Sequence, residues 1–306
     1  MSTSTQLDAY LDKRAEIEKI DGIVTARISN WTPGLRANEY YFSHPKWVHN
    51  WFTQVHRYPE FVDRWRTATG SWDGKIVVDI GCGPGNVYAS VGGSPALIIG
   101  VDVARGSLSM AEKVGYVPLL ADVQNLPLIS GFADIVTACA TIHHCDDMAR
   151  VLSEAARLVR PGGILVTDHD PQLSAHDFKW PGLHLWNARI PIYRLMKRGG
   201  HSPEDDEQKW ALATEIHHYP GDGVDAKLFQ ETLQPAGFEV ELYPHNNLVG
   251  AEVFKGRRGR AFRMFRVTQR ISRINPDLPS GAMTMMCVAR RTSRRSEAGA
   301  VPSNMP

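Results

Sequence analysis

The chain has 306 residues, of which 43% are hydrophobic and 22% are charged, and its formal net charge is +1. This length and composition suit one soluble α/β domain with additions rather than two equal domains, and the balanced charge argues against nucleic acid or a membrane as partner. No apolar run is long enough to span a bilayer, and residues 1–6 lack a signal-peptide core, so we expect a cytoplasmic protein.

Residues 1–70 precede the first predicted strand and are rich in aromatic side chains on a helix-prone background. We expect an N-terminal helical cap whose rings mostly pack against the edge of a sheet, because aromatic side chains contribute large buried areas. Tyr40 and Tyr41 are candidates for a second role, in which they close over a bound ligand and contact the substrate.

The most informative segment is residues 76–85, which read IVVDIGCGPG. An apolar run that ends in glycines predicts a buried parallel strand, followed by a turn whose backbone N–H groups can approach a ligand. A dinucleotide fingerprint requires its third glycine five residues after the first, but Gly85 lies four after Gly81. No Gly-Lys-Ser/Thr follows the turn either. The pattern therefore disfavours NAD and excludes a P-loop.

Two acidic residues follow the next two predicted strands. The run at 97–101 ends at Asp102, close to the spacing at which an acid reads a ribose in nucleotide-binding units, and the run at 119–121 ends at Asp122. A glycine turn alone is weak evidence, since many strands end in glycine for geometric reasons. The turn together with two acids at strand ends indicates a nucleotide-like ligand.

Further strands and helices alternate along the rest of the chain, which is typical of an α/β fold. Pro161 and the two glycines after it separate a helix from the strand that follows. We predict strands at 134–139, 164–167, 239–243 and 282–289, with helices at about 148–159 and 224–233.

Five motifs in order resemble the class I S-adenosylmethionine-dependent methyltransferases, within them the branch like the ubiquinone/menaquinone-biosynthesis enzymes. The matching stretches are 78–85 (VDIGCGPG), 100–102 (GVD), 122–127 (DVQNLP) with 132–136 (FADIV), 140–147 (ATIHHCDD) and 158–165 (LVRPGGIL). The resemblance implies a Rossmann-like sheet of seven mostly parallel strands, with helices on both faces and an antiparallel last strand. It also implies S-adenosylmethionine as cofactor and S-adenosylhomocysteine as product.

The same resemblance implies roles for individual residues. The loop from Gly81 to Gly85 would pass under the methionine part of the cofactor, Asp102 would accept hydrogen bonds from the ribose hydroxyls, and Asp122 with Val123 would read the adenine. Carboxylates suit the two hydroxyls because they are acceptors only. The complete set implied for the cofactor is Asp79, Gly81, Cys82, Gly83, Gly85, Asp102, Val103, Asp122, Val123 and Ala140.

Histidines beyond the strand ends are the candidates for a catalytic base, since histidine can accept a proton near neutral pH. His143 and His144 follow the fourth predicted strand, and His169 follows the fifth. We favour His143 or His169, with an adjacent aspartate orienting the ring. The run from Asp168 to Asp170 also suits a metal, but no third element supports it. We therefore expect no metal, and no disulfide either.

We assign residues 71–291 to the methyltransferase domain, with a lid insertion at about 171–223 and a basic insertion at about 247–281. The lid should cover the acceptor, with Trp186 and His217 as substrate candidates. The basic insertion predicts a helix with Met264, Val267, Ile271 and Ile274 on one face and arginines beside them. We interpret the arginine stripe as a solvated face or an oligomer contact, and residues 292–306 as a disordered tail.

The sequence favours methyl transfer by in-line displacement to a hydroxyl or amine of a small, cyclic or aromatic metabolite. Two alternatives stay open: C-methylation of a quinone-like, prenyl or polyketide substrate, and a non-methyl-transfer reaction such as cyclisation. The predicted partner is a small-molecule acceptor, with neither nucleic acid nor membrane, and a homodimer is left open.

Overall fold

The computed structural model describes residues 6–197 and 201–293 and contains a nine-stranded sheet. The predicted tail lies outside the described residues from position 294 onward. The strands are β1 (Ile17–Ile20), β2 (Ile23–Ala26), β3 (Ile76–Ile80), β4 (Leu97–Asp102), β5 (Val117–Leu120), β6 (Ala133–Cys139), β7 (Val159–Asp168), β8 (Phe238–His245) and β9 (Thr284–Arg291).

Twelve α-helices connect and flank these strands within the described residues. They are α1 (Pro33–Ser43), α2 (Pro45–Gln54), α3 (Pro59–Thr69), α4 (Asn86–Val91), α5 (Arg105–Val114), α6 (Met148–Leu158), α7 (Leu173–His176), α8 (Gly182–Ala188), α9 (Ile190–Met196), α10 (Asp205–Thr214), α11 (Ala226–Leu233) and α12 (Arg263–Ile271). Short 3-10 turns cover Asp8–Tyr10, Ile142–His144, Ala251–Lys255 and Pro279–Gly281. No helix among the described residues combines the length and apolar character needed to cross a bilayer.

The strand order is β1-β2-β5-β4-β3-β6-β7-β9-β8. All neighbours from β2 to β7 pair in parallel, whereas β9 runs antiparallel to both β7 and β8. The α/β fold with a mostly parallel sheet and an antiparallel last strand is confirmed, and β3 to β9 are the seven predicted strands. The chain steps one way from β3 to β5 and the other way from β6, so β3 and β6 flank the point where ligands bind such sheets.

Two strands within the cap were not predicted. β1 and β2 form an antiparallel hairpin, and β2 adds in parallel to the edge strand β5. The sheet therefore has two strands more than the seven predicted, and the predicted helical cap also contains a hairpin. Each strand is only four residues long, too short for the alternation of apolar and polar residues to distinguish it from a loop.

Alternate residues of the central strands pack into two cores on opposite faces of the sheet, which confirms helices on both faces. Val78 points into a core completed by α6 and α11, and Val77 into a core completed by α3, α4 and α5. Phe61 and Trp65 of α3 are fully buried in the second core. The cap is therefore packed on the sheet through α3 as well as through the hairpin.

The basic insertion contains a helix, α12, but a different face from the predicted one is buried. Phe265, Thr268 and Gln269 are buried, whereas Met264 and Val267 are exposed to 36% each. Gln269 donates to the carbonyl oxygens of Ala175 and Gly281, so polar contacts orient this helix.

Candidate active site

A cavity opens at the carboxyl ends of β3, β4 and β6, and we call it the strand-end cavity. Its empty volume is about 740 Å³ including the mouth, within the range of small-molecule sites. It is lined by Leu35, Asn38, Phe42, Trp51, His56, Gly81, Cys82, Gly83, Asn86, Val87, Asp102, Val103, Ala121, Val123, Cys139, Ala140, Thr141, His144 and Cys145. Seven of the ten residues predicted for the cofactor are among them.

The glycine loop between β3 and α4 holds its shape through contacts that only glycine permits. Gly81 has φ of 62°, and a Cβ there would lie 2.3 Å from the Thr141 side chain. The Thr141 hydroxyl donates to the carbonyl oxygen of Ile80 at 3.2 Å, which ties the end of β6 to the loop. A Cβ at Gly83 would meet nothing within 4 Å, so the loop backbone faces open space at that position.

Asp102 closes the cavity at the end of β4. Its two carboxylate oxygens accept from the backbone N–H groups of Gly83 and Ala104, both at 2.8 Å. Burial raises the pKa of Asp102, while these two N–H groups act in the opposite direction. Each oxygen keeps a further lone pair with which it can accept a ligand hydroxyl.

Three predicted cofactor residues do not line the cavity. Asp79 is buried beneath the loop, where it accepts from the hydroxyls of Tyr116 and Thr137, both at 2.7 Å. Burial raises the pKa of Asp79 to about 6, although both hydrogen bonds oppose this. Gly85 packs against the Tyr116 ring, and Asp122 accepts from the backbone N–H of Gln124 at 2.9 Å.

The cap supplies a wall that the sequence did not reveal. Leu35, Asn38 and Phe42 come from α1, Trp51 from α2, and His56 from the turn before α3. The Asn38 side chain donates to the carbonyl oxygen of His144 at 3.0 Å, so the cap also contacts the loop after β6. Aromatic richness was the available signal, but it could not distinguish these residues from their neighbours Tyr40 and Tyr41.

Comparisons with known proteins identify the domain that surrounds this cavity. Residues 78–167 match the family described as a methyltransferase domain. A ubiquinone biosynthesis O-methyltransferase of Bordetella pertussis is 31% identical over 156 residues, which cover 47% of this chain and 61% of that protein. The chain carries a class I S-adenosylmethionine-dependent methyltransferase domain. S-adenosylmethionine is the cofactor of this domain.

Solved structures show the same fold around the methyltransferase domain. A SAM-dependent methyltransferase of Thermotoga maritima superposes with a TM-score of 0.50 at 17% identity, over 83% of this chain and 99% of that chain. The [4+2]-cyclase SpnF superposes with a TM-score of 0.51 at 15% identity, over 85% of this chain and 97% of that one. The chain spans less than two thirds of the length of the curated relatives it matches.

The adjacent histidines of the methyltransferase domain differ in charge. His143 is buried, and its Nδ1 lies 2.8 Å from Asp170 and its Nε2 3.5 Å from Glu215. Burial opposes its charged form, yet hydrogen bonds to both carboxylates raise its pKa to about 9. His143 does not line the strand-end cavity, and a histidine protonated at neutral pH cannot act as a base.

His144 is the predicted histidine that does line the strand-end cavity. Its Nδ1 lies 2.6 Å from the carbonyl oxygen of Thr214, an acceptor, so Nδ1 carries the proton and Nε2 is left as an acceptor. Burial and the neighbouring His143 lower its pKa to about 4, so the ring is neutral at pH 7.

His169 lies outside the lining of the strand-end cavity. Its Nε2 is 2.7 Å from the Tyr58 hydroxyl and its Nδ1 3.2 Å from Asp168, which also accepts from Arg64 and His245. Asp168 is fully buried, and Arg64 together with His169 and His245 holds its pKa well below the usual value despite desolvation. Asp168 is therefore part of a buried ion-pair network.

The lid encloses a second cavity, the lid cavity, of about 960 Å³ including its mouth. It is lined by His176, Phe178, Leu183, Trp186, Asn187, Arg189, Ile190, His201, Gln208, Ala211, Leu212, Glu215, His218, Tyr219 and Pro220. Its Glu215 contacts His143, which lies 4.0 Å from the His144 ring, so this trio lies between the two cavities.

Of the four predicted substrate residues, Trp186 lines the lid cavity and the other three line neither cavity. His217 is held by Asp222, with its Nδ1 2.9 Å from the carboxylate. Tyr40 stacks on Trp210 with ring centroids 4.4 Å apart, and Tyr41 stacks on Trp47. Tyr40 therefore joins the cap to the lid, whereas Tyr41 and Trp47 both belong to the cap.

Proposed function

We propose that this chain transfers the methyl group of S-adenosylmethionine to a hydroxyl or amine of a small cyclic or aromatic metabolite. The observation that carries the proposal is the strand-end cavity, where an open glycine backbone, a carboxylate and apolar walls meet. The open backbone suits the amino-acid part of the cofactor, the carboxylate suits its ribose hydroxyls, and the apolar walls suit its adenine. The ubiquinone-biosynthesis relatives are named O-methyltransferases, which favours oxygen as the acceptor atom.

Within this proposal, different residues of the strand-end cavity contact different parts of the cofactor. Gly81, Cys82, Gly83 and Ala140 adjoin its methionine part, and Asp102 accepts from the ribose hydroxyls. Val103 and Val123 pack against the adenine. Asp122 does not line the strand-end cavity, so we assign the adenine contact to Val123 instead.

The bound cofactor supplies a methyl group on a positively charged sulfur, which an acceptor atom displaces in line. The protein contributes alignment of the two reacting atoms and exclusion of water. The unprotonated Nε2 of His144 can accept a hydrogen bond from the acceptor's O–H or N–H, which orients the lone pair. A pKa near 4 makes His144 a positioning group rather than a strong base.

We place the body of the acceptor in the lid cavity, which combines apolar surface with a cation, and its reacting O–H or N–H beside His144 in the strand-end cavity. Phe178 and Trp186 supply apolar surface, and the Arg189 guanidinium lies 3.4 Å from the Trp186 ring centroid. Among the described residues no carboxylate forms an ion pair with Arg189, and its Nε has no hydrogen-bond partner. A guanidinium without an acidic partner favours an acceptor that carries a carboxylate or phosphate.

The first test measures cofactor binding by isothermal titration. We expect Asp102→Ala to weaken S-adenosylmethionine binding by about 10–100-fold, because hydrogen bonds to charged groups contribute about 1.5–3 kcal/mol. Asp102→Asn, which keeps one carbonyl acceptor, should lose less. Unchanged affinity in both variants would contradict the assignment of Asp102.

The second test measures S-adenosylhomocysteine release with hydroxy- and aminobenzoates against phenol and aniline. Arg189→Met should raise KM for the carboxylated acceptors by about 10–100-fold and leave the uncharged ones unaffected. Arg194→Met is the matched control, because Arg194 is a lid arginine that pairs with Asp205 and does not line the lid cavity. Equal effects of both substitutions would rule out the anionic acceptor.

The likeness in fold to a [4+2]-cyclase supports one alternative, a reaction that binds the cofactor without methyl transfer. C-methylation of a quinone-like, prenyl or polyketide acceptor is the other. An acceptor that is converted without S-adenosylhomocysteine would favour the first alternative. A product with a new C–CH₃ signal in its NMR spectrum would favour the second.

A further inference from the structure

Three metal-ligating side chains from separate elements converge beside the strand-end cavity. His56 lies in the turn before α3, Cys139 ends β6, and His169 follows β7. The Cys139 Sγ is 3.7 Å from His56 Nε2 and 3.9 Å from His169 Nδ1, and all three atoms lie within 4.8 Å of one another. Tetrahedral zinc, with Zn–S of about 2.3 Å and Zn–N of about 2.0–2.1 Å, places such atoms roughly 3.5 Å apart. Small side-chain shifts would complete the geometry.

His56 is the observation that points to a missing ligand. The residue is only 4% exposed, its Nδ1 has no hydrogen-bond partner among the described residues, and the polar partner of its Nε2 there is the Cys139 sulfur. An imidazole buried without an oxygen or nitrogen partner is costly, and such groups often mark an ion or water. Its backbone also has φ of 62°, a conformation that non-glycine residues rarely adopt.

The contact with Tyr58 supports the assignment of His169 as a ligand. The Tyr58 hydroxyl lies 2.7 Å from Nε2 of His169, which leaves Nδ1 to face the sulfur. Ligating histidines usually engage a second group through their other nitrogen, which fixes the ring. Asp168 lies 3.2 Å from the same Nδ1, but it keeps Arg64, Trp65 and His245 as partners if Nδ1 turns to an ion.

A second trio, His143, His144 and Glu215, also lies within ligand distance but is a weaker candidate. Glu215 already accepts from His218 at 2.7 Å and pairs with His143 at 3.5 Å, and Asp170 lies 2.8 Å from the other ring nitrogen of His143. An ion at that position would have to separate His143 from Glu215.

We propose that His56, Cys139 and His169 bind one Zn²⁺, with Cys139 as thiolate. Because His56 and Cys139 both line the strand-end cavity, the fourth position is open to it, where a water or an electron-rich atom of an acceptor can bind. Formation of the Zn–S bond releases the Cys139 proton to solvent. The site does not depend on the proposed methyl transfer.

The experiment uses the untagged full chain after dialysis against a chelator. Titration with Zn²⁺ should show one site per chain, with release of about one proton at pH 7. Titration with Co²⁺ as a spectroscopic probe should give a near-ultraviolet sulfur-to-metal charge-transfer band and the visible bands of a four-coordinate ion. Absence of the charge-transfer band in the unaltered protein would overturn the proposal.

Variants then assign the ligands. Cys139→Ser should abolish the charge-transfer band, and His56→Gln and His169→Gln should each weaken Zn²⁺ binding by at least about tenfold. Two control variants should keep the band and the affinity. Cys287→Ala removes a buried thiol of β9, and His49→Gln removes an exposed histidine of α2. Circular dichroism and thermal unfolding confirm that each variant is folded. Wild-type affinity in a folded Cys139→Ser protein would refute the site.

Discussion

At the scale of single residues, His143 shows how burial and charge act together. It lies between Asp170 and Glu215 with little solvent, and the two carboxylates raise its pKa to about 9 despite the cost of desolvation. Sequence alone placed this histidine correctly after β6 but could not tell it from His144. Their roles depend on partners that lie 27 residues or more away in the chain.

A pH dependence of stability follows. A pKa raised in the folded state stabilises the protein fully below the unfolded value of 6.5, and this contribution disappears as pH rises through about 9. We expect the unfolding free energy of the native protein to exceed that of His143→Gln by on the order of 3 kcal/mol at pH 6. The difference should largely vanish at pH 10. Urea titrations at both pH values measure it, and a constant difference would contradict the charged state.

At the scale of elements, two positions of the glycine loop require glycine for different reasons. Gly81 is required by packing against Thr141, whereas Gly83 faces the strand-end cavity with room beside it. Sequence spacing identifies both positions as turn glycines and cannot separate these reasons. The difference appears only when the end of β6 lies next to the loop.

The two glycines should therefore respond differently to alanine. Gly81→Ala should destabilise the protein by about 2–4 kcal/mol, because the methyl group overlaps Thr141 in a left-handed conformation. Gly83→Ala should cost only about 1 kcal/mol but weaken S-adenosylmethionine binding by about tenfold or more. Thermal unfolding and isothermal titration of both variants separate the effects. The reverse pattern would show that the loop has another conformation.

Sequence reasoning predicted most of the strands from β3 to β9 because they contain apolar runs bounded by glycine or acid, which have few alternatives. It missed β1 (IEKI) and β2 (IVTA), which contain no run of three apolar residues, and it chose the wrong face of α12. In that helix Gln269 is buried through hydrogen bonds to the carbonyl oxygens of Ala175 and Gly281, and Thr268 is buried by packing, and hydrophobic periodicity registers neither. The cap side of the strand-end cavity was missed for a related reason, since Leu35 and Trp51 reach it only through tertiary packing.

At the scale of the whole molecule, the central sheet and the lid differ in burial. Val77 to Ile80 of β3 are all buried, whereas α9 of the lid buries none of its residues. Backbone amides should therefore exchange hydrogen far faster in α9 than in β3, by several orders of magnitude. Hydrogen-exchange mass spectrometry of the free protein measures this. Equal protection of both segments would contradict the described packing.

The hairpin of the cap affects how a metabolite reaches the strand-end cavity. With β2 hydrogen-bonded to β5 and α3 packed on the sheet, the amino-terminal wall is anchored at two separate points. The lid contains a helix, α9, that buries none of its residues. We therefore expect a metabolite to enter past this helix, with the amino-terminal wall as the fixed side of the passage.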